Sequence, residues 1–328
     1  MNPVSRRNLL KGGAVLAGAS LIGINPAEAL AEIAPAKTPA LTLAEIAAIE
    51  AAVGKKGNYK EAEATYTLPF PRNDLKVTIK GEAVPISFGF GGWMSIKRTL
   101  DGKSAMLMGD NVLLEEEVNP LISAALAEGL EVGAIHNHFF YEEPRIFFMH
   151  LHGMGSPEEL AKKYAKAIAN TKISPANQPP AGLPPTKTGK DIFDVPKLNE
   201  IVKSEAAING TTIKYTLGRP DLTVIAMGTQ MTTNIGLNTW ASFTGSMDNA
   251  RIAGDVAMLD HEVKEVIKVF RSNNIEVVAV HSHMLGDKPT IKFLHYMGIG
   301  PALELAKSFR AALDQLGNKQ SGMSGMKM

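Results

Sequence analysis

The stretch VGAIHNHFFYEEPRIFFMHLH at residues 132–152 returns, altered but in register, as VVAVHSHMLGDKPTIKFLHYM at 277–297. Each version opens on small and β-branched apolar residues, the composition of a buried strand. Alternate residues on a strand point to one face, so His136 and His138 project together, as do His281 and His283. A proline six residues after each pair, Pro144 or Pro289, ends a turn and starts a second strand. Along that strand Ile146, Phe148 and His150 share a face, matched by Ile291, Phe293 and His295. Neighbouring strands thereby aim three imidazoles at one point in each copy.

The repetition extends well beyond the histidines. Tyr66-Thr67-Leu68 recurs as Tyr215-Thr216-Leu217, and Arg72-x-Asp74-Leu75 as Arg219-x-Asp221-Leu222. The only two tryptophans, Trp93 and Trp240, are 147 residues apart; Gly109-Asp110 and Glu117-Val118 recur 145 residues on as Gly254-Asp255 and Glu262-Val263. Each copy reads as several short strands, an amphipathic central helix, two histidine-bearing strands and a closing helix. Leu75, Val77 and Ile79 alternate as in a strand, whereas Val118, Leu121, Ile122 and Ala125 keep helical spacing until Gly129. Ser156-Pro157-Glu158-Glu159 opens the first closing helix, and Thr42 with Glu45 caps a short helix ahead of copy one. The expected fold class is α+β, with two copies of one mixed domain paired about a pseudo-two-fold. The expected boundaries are domain one at 30–172, a proline-rich linker at 173–193, domain two at 194–317 and a disordered Met-rich tail at 318–328.

The N-terminus reads Ser5-Arg6-Arg7-Asn8-Leu9-Leu10-Lys11, then an uncharged stretch from Gly12 to Ile24 and a small-x-small site at Ala27-Glu28-Ala29. This is the pattern of a twin-arginine signal peptide over residues 1–29, implying the twin-arginine translocase as export partner and a periplasmic destination. The uncharged stretch is too short for a membrane span, which needs about 20 residues, so no stable transmembrane segment is expected. The formal charge of +1 becomes −1 once Arg6, Arg7, Lys11 and Glu28 are removed. A near-neutral surface gives no electrostatic case for nucleic acid. The 328 residues are 45% hydrophobic, enough to bury two ordinary cores.

With no cysteine, any metal must be held by nitrogen and oxygen. His136, His138 and His150, and His281, His283 and His295, are the ligand candidates; three histidines are the usual protein share of a catalytic zinc site. Between residues 136 and 155 only eight of twenty positions match the second copy, yet all three paired histidines are among them. His152, Glu142, Asp287 and His261 are possible additional ligands, although His152 faces Met297 in copy two and His261 faces Glu116 in copy one. Glu117 and Glu262 are the candidate acid–base carboxylates, with Asp110 and Asp255 just before the same helices; helix capping or turn formation explains all of these carboxylates equally well. Arg72 and Arg219 either hold an anionic substrate or pair with the aspartates two residues on, the pairing being favoured. No phosphate loop, Gly-x-Ser-x-Gly elbow or His-Glu-x-x-His is present.

Pro71-Arg72-Asn73-Asp74-Leu75, Met108-Gly109-Asp110, Glu117-Val118-Asn119-Pro120, Ala134-Ile135-His136-Asn137-His138 and Phe148-Met149-His150 resemble the bacterial family of unknown function that includes the mycobacterial lipoproteins LppY and LpqO. The resemblance covers nearly all of the mature chain in two units. A weaker similarity, in the His-x-His…His spacing alone, is to the acetolactate-decarboxylase-like superfamily, whose α+β fold binds zinc through three histidines. The expectation is therefore a zinc-dependent hydrolase or decarboxylase acting on a carbonyl or carboxylate of a small-molecule or cell-envelope ligand. The alternatives are non-catalytic metal handling, with copper suggested by fifteen methionines, and an envelope binding protein propped by its metal.

Overall fold

The computed structural model describes residues 37–173 and 186–317. Residues 1–36, which hold the expected signal peptide and the start of expected domain one, residues 174–185 of the expected linker and the Met-rich tail at 318–328 lie outside the described residues. Copy one runs α1 (Leu43–Val53), β1 (Asn58–Lys60), β2 (Thr65–Pro71), β3 (Val77–Ile79), β4 (Glu82–Val84), β5 (Gly91–Arg98), β6 (Ala105–Leu114), α2 (Glu115–Ala127), β7 (Glu131–His136), β8 (Glu142–Glu143), β9 (Ile146–Gly155) and α3 (Pro157–Ile168). Copy two follows with α4 (Gly189–Ile192), α5 (Val195–Val202), β10 (Ala207–Asn209), β11 (Thr212–Gly218), β12 (Ile225–Ala226), β13 (Thr229–Gln230), β14 (Asn238–Gly245), β15 (Ala250–Leu259), α6 (Asp260–Ser272), β16 (Glu276–His281), β17 (Ile291–Gly300) and α7 (Ala302–Leu313). The fold is mixed α+β in two tandem copies. One detail differs from the sequence reading: the end of the expected linker, at α4, is a helical turn.

Each copy builds one six-stranded antiparallel sheet, ordered β1-β2-β5-β6-β9-β7 and β10-β11-β14-β15-β17-β16. The long central strands are buried on both faces and divide their side chains strictly. On β6, Ala105, Leu107 and Leu113 join Leu121, Ala125, Leu160 and Tyr164 beneath the helices. The alternate residues Met106, Met108 and Val112 face the other copy. On β15 and β17, Ile252, Val256, Met258, Leu294 and Tyr296 take the helical side, whereas Ala253, Ala257, Phe293 and Met297 take the inner one. The layers are thus helices, sheet, sheet, helices, and every residue between the sheets is set by the period of two.

Excursions from each copy cover the other. The β3–β4 hairpin and its following turn put Val77, Ile79, Val84, Phe88 and Phe90 into one cluster with Ala253 and Met297. In reply, Val224, Ala226, Met231, Ile235 and Leu237 close over Met106 and Met108. Polar bonds cross the same seam: Asn234 accepts from Thr67 and Ser95 through its carbonyl and donates to Glu63 through its amide and side chain. Arg251 pairs with Glu82 at 2.6 Å. At the seam's centre the buried inner face turns polar, and that is where the histidines lie.

Candidate metal centre and cleft

Register places the site. Antiparallel pairing sets Asp110 opposite His150, which is itself opposite Ala134 two residues before His136. The same pairing sets Asp255 opposite His295, with Ala279 beyond. Each trio therefore converges on one patch of its inner sheet face, and the two patches face each other. His136 stacks on His281 with ring centroids 3.8 Å apart, His138 on His295 at 3.7 Å, and His150 meets His283 at 4.2 Å. Where the sequence predicts a triad for each copy, the six imidazoles occupy one shared space. Among the described residues three sets have donor atoms close enough to hold one ion: Asp255, His281, His283 and His295; His136, His138 and His295; and His136, His150 and His281. Two of the three draw on both copies, and His295 belongs to two.

The copy-two arm is the better organised. His283 and His295 turn Nδ1 to the carbonyls of Gly236 and Gly254 at 3.0 and 3.1 Å, which leaves each Nε2 facing inward. Such outer bonds fix the tautomer and orientation of metal-binding imidazoles. His283 Nε2 lies 3.0 Å from Asp255 Oδ2, and His295 Nε2 lies 3.9 Å from it. Donors about a single tetrahedral zinc are separated by roughly 3.3 Å, given bonds of about 2.0–2.1 Å. In copy one, His136 and His138 approach Nε2 to Nε2 at 3.1 Å, and Asp110 Oδ2 is 3.8 Å from His138.

Buried polar groups are normally hydrogen-bonded, and orphans call for an explanation. Here the orphans cluster: both ring nitrogens of His150, Nδ1 of His136 and His138 and Nε2 of His295 lack hydrogen-bond partners. Burial drives the imidazoles toward the neutral form, His283 and His295 down to about 3, so they can coordinate at neutral pH. Burial pushes Asp255 up to about 6, and burial with the charge of Asp255 pushes Asp110 up to about 8. A bound cation reverses that cost, because it supplies the charge the two carboxylates lack. The donor set therefore fits a divalent ion held by nitrogen and oxygen.

One edge of the cluster opens. His138, His283, His295, Asp110 and Asp255 line a cavity of about 180 Å³ together with Trp93, Trp240 and Lys214. A larger cleft of about 820 Å³ shares Trp93, Asp110, His138, Lys214 and Trp240 with it. The cleft walls are mainly Pro69, Pro71, Pro85, Ile86 and the two indoles. Glycine makes room for each indole across the seam: a Cβ on Gly236 would stand 3.2 Å from Trp93, and one on Gly89 would stand 3.5 Å from Trp240.

The other sequence-predicted residues divide. His152 is buried on β9 beside Gly133 and belongs to none of the three ligand sets. His261 is exposed on the first turn of α6, outside those sets. Glu142 and Asp287 accept from the amides of Ile146 and Ile291, so both close the turn before a histidine strand. Arg72 is fully buried and donates to Asp74, to the Val112 carbonyl and to Glu117 at 2.7 Å. Arg219 makes the same bonds to Asp221, Ala257 and Glu262. Glu117 also accepts from the Leu114 and Lys172 amides, and Glu262 from those of Leu259 and Gly317. These glutamates and arginines are bonded to one another as a brace between β-sheet and helix.

What the cluster and cleft contain instead is Asp110, Asp255 and Lys214. The two aspartates could be found from the sequence by pairing the strand before the central helix with the third-histidine strand. Lys214 carried no such signal, because copy one has Thr65 in its place.

Residues 47–170 and 196–315 each match the family described as "Domain of Unknown Function (DUF1259)". No curated protein matches the chain. Among solved structures, it is similar to the double-ringed trimeric shell protein MSM0271 of the RMM microcompartment, at 13% identity and a TM-score of 0.18, over 65% of this chain and 83% of that one. It is also similar to TP0453 in crystal form I, at 13% identity and a TM-score of 0.18, over 84% and 99%. The chain belongs to the family of unknown function matched by both of its tandem copies.

Proposed function

We propose that this chain is an exported zinc-dependent enzyme, a hydrolase or decarboxylase acting on the carbonyl or carboxylate of a small molecule. The observation that carries the reading is the coincidence of orphaned, pre-oriented imidazoles with an open cleft: the nitrogen-rich set reaches a cavity rather than being sealed by protein. A structural metal site would be closed by its ligands, whereas a catalytic one keeps an open position.

His281, His283, His295 and Asp255 would hold the ion, with His136 and His138 approaching it from copy one. Bound there, zinc would polarise a substrate oxygen or lower the pKa of its water. Asp110 lines the cavity beside His138 and is the carboxylate placed to move a proton, the role that Glu117 and Glu262 are too committed to Arg72 and Arg219 to take. Export through the twin-arginine pathway to the periplasm is part of the proposal, resting on the arginine pair and cleavage pattern of residues 1–29. No helix among the described residues is long and apolar enough to cross a membrane. The His-x-His…His spacing shared with the acetolactate-decarboxylase-like zinc superfamily supports the same reading.

The test is a screen of small carboxylate, ester and 2-keto acid substrates with protein as purified, after chelation, and after zinc is restored. Turnover lost on chelation and regained with zinc is expected. Turnover indifferent to chelation would remove the metal from the chemistry, and stoichiometric uptake without turnover of any substrate would favour metal handling.

A further inference from the structure

The pseudo-two-fold is broken at the cleft, and the break concerns charge. Lys214, the third residue of β11, lines both the cleft and the cavity behind it. Its ammonium stands 4.4 Å above the Trp240 ring, and burial lowers it to about 8. Asp110 and Asp255 line the same cavity and act on it electrostatically, but among the described residues no ion pair joins either of them to Lys214. Among the described residues no other lysine or arginine lines either space. A cation aimed into a cleft without a direct carboxylate partner is costly unless something completes it.

We propose that Lys214 is a specificity-determining residue that binds the carboxylate of the substrate, whose apolar body lies between Trp93 and Trp240 against Pro69, Pro71 and Pro85. This rests on the cleft being the substrate site. Its volume suits a small molecule, and its walls are mostly apolar with few polar groups, the usual make-up of such sites. The other side of the pseudo-two-fold differs. There Thr65 replaces the lysine, and the turn at Thr233–Ile235 is tied to copy one through Asn234, bonded to Glu63, Thr67 and Ser95. Its counterpart turn at Ile86–Phe88 makes one such side-chain bond, from Thr212 to Ser87 at 2.8 Å. Duplication supplied two equivalent approaches: beside Thr65 the nearest lysine, Lys97, is buried against Thr232, whereas Lys214 lines an open cleft.

Because both tryptophans of the chain line this cleft, intrinsic fluorescence reports its occupancy directly. Cyclohexanecarboxylate and the neutral cyclohexanecarboxamide absorb outside the indole band and are nearly equal in size and shape, differing in charge and in the NH2 that replaces one oxygen. Titration of the mature protein, with metal content measured on the same samples, should give a saturable change for the acid and binding roughly tenfold or more weaker for the amide. In Lys214→Met the preference should vanish at unchanged metal content, and in Lys214→Arg it should persist. Equal binding of acid and amide, preference surviving in Lys214→Met, or no saturable signal from the acid up to tens of millimolar would each overturn the proposal. The metal reading fails separately, by metal content alone, and leaves the dependence on Lys214 still readable.

Discussion

Replacing Glu117 by alanine tests whether that carboxylate braces the fold or performs chemistry. Its Oε2 holds the Arg72 guanidinium at 2.7 Å and the Leu114 amide at 2.8 Å, while Oε1 holds the Lys172 amide at 2.8 Å. Arg72 has no exposed side-chain surface, so the variant buries a cation whose only remaining carboxylate is Asp74. Removing one partner of a buried pair costs about 3–5 kcal/mol, and Asp74 holds the expected value to about 3. At about 2–4 °C per kcal/mol, the midpoint should fall by roughly 6–12 °C. Thermal and urea unfolding of the mature protein measure the loss, with metal content followed in parallel. Metal should remain, because no bond of Glu117 reaches a histidine of the cluster. The double variant Arg72→Met with Glu117→Leu should regain most of the stability, since an apolar pair of similar volume needs no charge compensation. A Glu117→Ala protein within about 1 kcal/mol of the parent would refute the brace and return the glutamate to the candidate acid–base groups.

Lys97 is buried at the seam against Thr232, and desolvation lowers it to about 8 from an ordinary 10.5. Its folded pKa lies below its unfolded one, so the penalty is full below pH 8 and disappears as pH rises to 10.5. Lys97→Met should therefore be the more stable protein at pH 7, by up to about 3 kcal/mol, with the gap closing over that window; a gap independent of pH in urea titrations would refute this. A Cβ on Gly254 would stand 2.0 Å from the Trp240 carbonyl and 2.4 Å from the Tyr296 hydroxyl. Gly254→Ala should cost about 1–3 kcal/mol in calorimetry and shift tryptophan emission, and neutrality on both counts would show that the strands yield. Chelation should lower the melting midpoint, because a ligand bound only by the folded state stabilises it; an unchanged midpoint after verified removal of metal would contradict this.

The repeat, its central helices and the histidine strands were legible because duplication writes the same period twice. What the period could not show was how the copies meet. Strand alternation places His136 and His138 on one face whether that face meets solvent, helix or another sheet. Only the packing of sheet on sheet sets His138 against His295 and merges the triads. That Asp110 and Asp255 stand beside the histidines does not show in the sequence, because their place opposite His150 and His295 is a matter of register between strands some forty residues apart. For Glu117 and Glu262 the sequence shows only half of the bonding: a glutamate three residues into a helix caps it locally, and the same carboxylate also reaches an arginine 45 or 43 residues away.

Metal content of His295→Ala decides whether the two copies share one metal centre. His295 belongs to both the Asp255 set and the His136–His138 set, whereas His152 belongs to neither. In mature protein purified without chelators, the parent should carry at least about one zinc per chain. His295→Ala should lose it, and His152→Ala should keep it. A parent free of divalent metal, or a folded His295→Ala with the full parental content, would contradict the account.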